Sequence, residues 1–134
     1  MTSAERATYL DSSALVKLAV DEPESAALRR YVNRRRVLVS SALARVEVTR
    51  ALLPLGAEGS RRARAVLSRL DLLGLTRRIL ESAGEMSPAD LRSLDAIHLA
   101  TAMELDSSIG SFVTYDHRLA AAAEARGLRV ARPR

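Results

Sequence analysis

The sequence predicts a single α/β domain with a central, mostly parallel sheet of four to five strands and helices on both faces. Three observations predict it. Short apolar runs alternate with longer stretches of helical periodicity, the pattern of strand–helix–strand units. The clearest runs, ATYL, VLVSS and FVTY, lack strict apolar–polar alternation, as expected of strands covered on both sides. The chain has 134 residues, 48% of them hydrophobic, which suits one core and one domain spanning residues 1–134.

Residues 7–10 read as a buried strand ending at Asp11. Ser12 and Ser13 lead into a short helix over 14–20. Asp21, Glu22 and Pro23 break it, and Pro23 suits the first turn of a second helix, 24–34. Residues 37–41 form a second strand closing on Ser40 and Ser41, followed by a helix over 42–53. Pro54 and Gly56 end that helix and leave 54–60 as a loop. An amphipathic helix is expected over 61–73, with Ala63, Val66, Leu67 and Leu70 inward and Arg61, Arg62, Arg64 and Arg69 outward. Leu75 and Thr76 suggest a short strand, then a helical turn or two to Ala83 and a connector over 84–88. Residues 91–105 make a further helix, with Leu94, Ile97, Ala100 and Leu105 toward the core. A third clear strand is expected over 112–115, ending at Asp116, with Phe112 in the core. A helix from His117 stops at Gly127, and 128–131 is a weak last strand.

Composition narrows the function. The absence of cysteine rules out disulfides and thiolate metal sites and fits a reducing compartment. No apolar run approaches a membrane span, and the first residues carry charges where a signal peptide needs its apolar segment, so a soluble, cytoplasmic protein is expected. The net charge is +5, and every basic residue except Lys17 is arginine. Arginine suits phosphate contact, although a GC-rich genome yields the same bias. The few aromatics, Tyr9, Tyr31, Phe112 and Tyr115, argue against base stacking and for recognition by phosphate contact and shape. Arg45, Arg50, Arg92 and Arg118 flank the acidic motifs and are candidates for holding phosphates.

Four acids stand out. Asp11 and Asp116 each follow a predicted strand, on the sheet edge where parallel α/β folds place their sites. Asp95 lies in a helix's first turn above an apolar face with His98, Leu99 and Ala102. Glu47 sits mid-helix between Leu43 and Ala51. Each alone also has a structural explanation: Asp11 and Asp116 as N-caps, Asp95 as a residue favoured by the helix dipole, Glu47 as a partner of Arg50. His98 reads most simply as a packed helix histidine, and His117 as an exposed one. Together, four carboxylates in one pocket repel each other unless a hard divalent cation is present. Mg²⁺ takes oxygen ligands and recruits phosphates, and Mn²⁺ suits the same donors.

The segments YLDSSALVKL, SSALARVEVTRAL, LRSLDAIHLATAMEL and FVTYDHRLAAAA come in the order and spacing of a known family. From Tyr9 onward the chain resembles the PIN-domain ribonucleases, in particular the VapC-type toxins of toxin–antitoxin pairs. The resemblance implies a PIN-like fold and places Asp11, Glu47, Asp95 and Asp116 at the family's four acidic positions, as both metal-binding and catalytic residues. Thr114 matches a small hydroxyl residue two before the last acid, and Ser13 a polar position near the first. It further implies a Mg²⁺-dependent endoribonuclease that hydrolyses RNA by metal-activated water. The implied partners are RNA, a cognate VapB-type antitoxin and a second copy in a homodimer, with operator DNA bound only through the antitoxin and no membrane. The alternatives are a housekeeping PIN-domain nuclease without an antitoxin and a non-catalytic RNA-binding or assembly module. A phosphoacceptor receiver domain ranks low, because Asp11 is followed by serines and no lysine follows Lys17.

Overall fold

The structure, a computed structural model, describes residues 6–134. Five parallel strands form one sheet. They are β1 (Ala7–Leu10), β2 (Leu38–Ser41), β3 (Asp71–Leu73), β4 (Ile109–Val113) and β5 (Val130–Ala131), ordered β3-β2-β1-β4-β5. Winding runs outward from β1 in one direction through β2 and β3, then in the other through β4 and β5. The switch point, where such sheets open a crevice at their carboxyl edge, therefore lies between β1 and β4.

Alternation along the strands divides the core in two. Leu10, Leu38 and Val113 face one side, where α1 (Ser12–Ala19), α2 (Ser25–Asn33), α3 (Ala44–Leu52) and α4 (Gly56–Leu67) pack. Tyr9, Val39 and Phe112 face the other, under α5 (Arg77–Gly84), α6 (Ser93–Met103) and α7 (His117–Ala125). This is the doubly covered α/β sheet expected of the sequence. Phe112 is fully buried and stacks on Tyr9, with ring centroids 5.2 Å apart and planes 3° apart. No helix among the described residues is long and apolar enough to cross a membrane.

Four local expectations change. The segment expected as a loop over 54–60 is largely helical. Pro54 sits in the first turn of a 3-10 turn, Leu53–Leu55, where its missing N–H costs no hydrogen bond. Gly56, at φ 65°, turns the chain directly into α4. Gly59 then lets α4 close on α3: a Cβ there would lie 2.0 Å from the Leu52 carbonyl oxygen. Second, the helix expected over 61–73 ends at Leu67, and Asp71–Leu73 pairs with β2, replacing the strand expected at 75–76. Thr76 instead caps α5, its hydroxyl accepting from the Ile79 amide at 3.1 Å. Third, the strand expected over 112–115 begins earlier and stops at Val113, which frees Thr114 and Tyr115 for the site. Fourth, Leu94 is 46% exposed, because the buried face of α6 runs through Ala96, His98, Leu99, Ala100 and Ala102.

Candidate active site

Asp11 leaves the end of β1 as the N-cap of α1 and is only 3% exposed. Its Oδ1 accepts from the Ala14 amide at 3.0 Å and from the Ser13 hydroxyl at 2.7 Å. Its Oδ2 accepts from the Thr114 hydroxyl at 2.6 Å. Burial pushes the carboxyl up from its ordinary value, against the pull of Thr114, Ser13 and the Ala14 amide.

Thr114 is fully buried and ties the ends of β1 and β4 together. While donating to Asp11, it accepts from the Asp116 amide at 3.1 Å. Ser13 makes the parallel link, accepting from the Tyr115 amide at 3.0 Å. Asp116 is the N-cap of α7, with its Oδ1 accepting from the Leu119 amide at 2.8 Å. The Asp116 cap engages Oδ1 alone, whereas both oxygens of Asp11 accept hydrogen bonds. Across the crevice, Asp95 is half-buried in the first turn of α6. Burial, then the charges of Asp116 and Asp11, push its carboxyl up; His98 and Arg92 pull the other way. The like charges acting on Asp95 put it in one electrostatic neighbourhood with Asp116 and Asp11.

Glu47 does not pair with Arg50. Its Oε1 accepts from the Ser12 hydroxyl and from His98 Nε2, the latter at 2.7 Å. His98, 1% exposed, also meets Ser12 Oγ at 3.1 Å and the Tyr9 hydroxyl at 2.8 Å through Nδ1. Burial raises the Glu47 carboxyl, but the His98 hydrogen bond and charge and the Ser12 bond outweigh it and leave it below its ordinary value. The buried face of α3 runs through Ala44, Val48 and Leu52, so Glu47 lies at its edge rather than at its centre. Sequence reasoning assigned Tyr9 no part in a site, suggested Ser12 as a turn and cap residue, and favoured packing over an acid–base role for His98. The available signal was spacing: His98 follows Asp95 by three on one helix face, and Tyr9 precedes Asp11 by two in YLDSS. His117 is exposed, as are Arg45, Arg50, Arg92 and Arg118.

The donors are carboxylate and hydroxyl oxygens without thiolate, the chemistry of a hard divalent cation. Among the described residues, no three of Asp, Glu and His stand close enough together to enclose an ion on their own. A hard divalent cation held by such donors would take one or two carboxylates directly and keep several waters. A cation there would relieve the repulsion borne by Asp95.

Residues 8–125 match the PIN domain family. The chain is 54% identical to Ribonuclease VapC46 of Mycobacterium tuberculosis over 127 residues, 95% of this chain and 98% of that one. It is 42% identical to Ribonuclease VapC47 of the same species over 130 residues, covering 93% and 96% of the two chains. The fold also matches VapBC2 from Rickettsia felis, solved bound to a DNA fragment from its promoter. The TM-score is 0.74 at 12% identity, covering 96% of this chain and 99% of that one. Matched along nearly its whole length in sequence and in fold, the chain belongs to the PIN-domain family, in its VapC branch.

Proposed function

We propose that this protein is a Mg²⁺-dependent endoribonuclease and the toxin of a VapBC-type pair. The observation that carries the proposal is the electrostatics of Asp95, a half-buried carboxylate pushed up by burial and by Asp116 and Asp11. An arrangement of that kind is costly without a cation and useful with one. The ribonuclease names of relatives at 54% and 42% identity support the same reading.

Asp11, Asp95 and Asp116 would hold the ion directly or through water, and Glu47 would complete the site or orient water. Once bound, a divalent cation supplies an activated water and offsets charge on the scissile phosphate. The protein's own part is positional. Ser13, Thr114 and the Ala14 and Leu119 amides fix the carboxylates of Asp11 and Asp116. His98 and Ser12 fix Glu47, whose lowered pKa keeps it ionised and able to accept a proton from water. Arg45, Arg50, Arg92 and Arg118 lie exposed on elements that carry the acids and would contact RNA phosphates.

The partners are RNA, a VapB-type antitoxin blocking the acidic crevice, and a second copy in a homodimer, with operator DNA reached through the antitoxin. The setting is the bacterial cytoplasm. The test compares RNA cleavage by purified protein and by Asp95→Asn, with Mg²⁺, with EDTA, and with Mn²⁺ added back. Cleavage should require the metal, return with Mn²⁺ and vanish in the variant. Undiminished cutting by Asp95→Asn, or activity that survives chelation, would defeat the proposal. Growth arrest on expression, relieved by a co-expressed neighbouring antitoxin, separates the toxin from a housekeeping nuclease.

A further inference from the structure

We propose that His98 is a positioning residue for Glu47: its Nε2–H holds the carboxylate at the acidic crevice, and Tyr9 fixes which nitrogen carries the proton. The inference rests on the nuclease reading above and adds a residue to it.

Four side chains from four elements form one chain of contacts. Tyr9 on β1 meets His98 Nδ1 at 2.8 Å, and His98 Nε2 meets Glu47 Oε1 at 2.7 Å. Ser12 on α1 donates to the same Oε1 and lies 3.1 Å from Nε2. The imidazole has no freedom to leave. It is 1% exposed, edge-on to Tyr9 at 5.9 Å and 77°, and Tyr9 is itself stacked on Phe112.

Proton bookkeeping decides the direction of the bonds. An ionised Glu47 only accepts, so the nitrogen facing it must carry hydrogen. The neutral tautomer protonated at Nδ1 alone would turn a lone pair toward the carboxylate. The fully buried Tyr9 hydroxyl, 2.8 Å from Nδ1, carries a hydrogen that it can donate there. Neutral His98 is then protonated at Nε2, with its donor aimed at Glu47. Both donors use Oε1, which leaves the other oxygen for a ligand.

The consequence is mechanical. Glu47 lies on α3, against one face of the sheet, and His98 on α6, against the other. The bond between them joins the two layers beyond the strand ends, 51 residues apart in the chain. It removes rotamer freedom that a long acidic side chain otherwise keeps. Partners that orient a metal-site ligand typically matter by about 10–100-fold in activity or metal affinity.

The test compares His98→Leu with His98→Gln in the full-length protein. Gln carries an amide N–H that reaches the place of Nε2; Leu fills space without a donor. Cleavage kinetics, Mn²⁺ affinity by electron paramagnetic resonance and thermal unfolding are measured on each. His98→Leu should lower kcat by roughly 10–100-fold with little change in KM, and weaken Mn²⁺ binding, while Gln recovers most of both. A folded His98→Leu that cuts RNA and binds Mn²⁺ like the parent overturns the proposal. So does a Gln variant no better than Leu, since that marks a packing role. Should Leu fail to fold, Tyr9→Phe replaces it. Nitrogen NMR of the imidazole should show a protonated Nε2 in the parent and a tautomer mixture in Tyr9→Phe; an unprotonated Nε2 in the parent also overturns the proposal. If the parent protein cuts no RNA, the nuclease reading falls, and the nitrogen spectrum still tests the Glu47 contact.

Discussion

Replacing Thr114 with valine isolates the joint between β1 and β4. The two side chains have nearly the same shape, so packing is preserved and only the hydroxyl is lost. That hydroxyl is fully buried and does two jobs: it donates to Asp11 Oδ2 at 2.6 Å and accepts from the Asp116 amide at 3.1 Å. A hydrogen bond to a charged group contributes about 1.5–3 kcal/mol, and a buried N–H left without a partner costs about 1–3 kcal/mol. The two share one oxygen, so their full sum is an upper bound, and a loss of roughly 3–4 kcal/mol is expected at neutral pH. The loss should depend on pH. Burial already raises the folded pKa of Asp11, and removing a donor raises it further. Below the unfolded carboxylate pKa, Asp11 is neutral in both states and only the neutral interactions are lost. As pH rises, the folded carboxyl must ionise with one donor fewer, so the deficit grows. Urea unfolding of metal-free protein across acid to neutral pH measures it, with Thr114→Ser as the variant that restores the hydroxyl. A loss under about 1 kcal/mol, or a deficit that shrinks as pH rises, would refute the reasoning.

Two further outcomes follow from the same geometry. Asp95→Asn should make the metal-free protein more stable at neutral pH, because it removes a carboxylate that burial and two acidic neighbours oppose. Its raised folded pKa means that ionisation costs stability as pH climbs through the window above the unfolded value. The gain should therefore be about 0.5–1 kcal/mol after solvent screening at this half-exposed position, and absent in acid, where both states are protonated; thermal melts at two pH values in EDTA decide it. Gly59→Ala should destabilise by about 1–3 kcal/mol, since the added Cβ meets the Leu52 backbone rather than a movable side chain; a chemical-denaturation midpoint equal to the parent's would mean that α4 does not approach α3 so closely.

The legible parts of the fold were those in which periodicity and burial coincide. Tyr9, Leu10, Val39, Phe112 and Val113 lie in strands buried on both faces, and their apolar runs announce it. The segment after α3 was illegible for a physical reason. Asp71–Leu73 is three residues long, too short to carry an alternation, and only its ladder with β2 makes it a strand. Nothing local competes with the helical spacing of Val66, Leu67 and Leu70, so a long helix was the natural expectation. Pro54 and Gly56 misled in the opposite sense: residues that usually end a helix here sit in the tight passage between two helices.

The candidate site divides along the same line. Asp11 and Asp116 could be found because a strand end followed by a cap residue is a local signal, and both do cap. Glu47 could be found as an acid, but its partners could not: residues 12, 47 and 98 meet only because parallel crossovers return α1, α3 and α6 to one edge. Asp11 and Asp116 are pinned by helix-start amides, and Glu47 by His98 and Ser12, so their orientation is settled by folding itself. Asp95 differs: besides burial, which also raises Asp11, the charges of Asp116 and Asp11 push its carboxyl up. Asp11 and Asp95 are thus the two acids whose ionisation the fold opposes, and a bound cation would lower the carboxyl pKa of both.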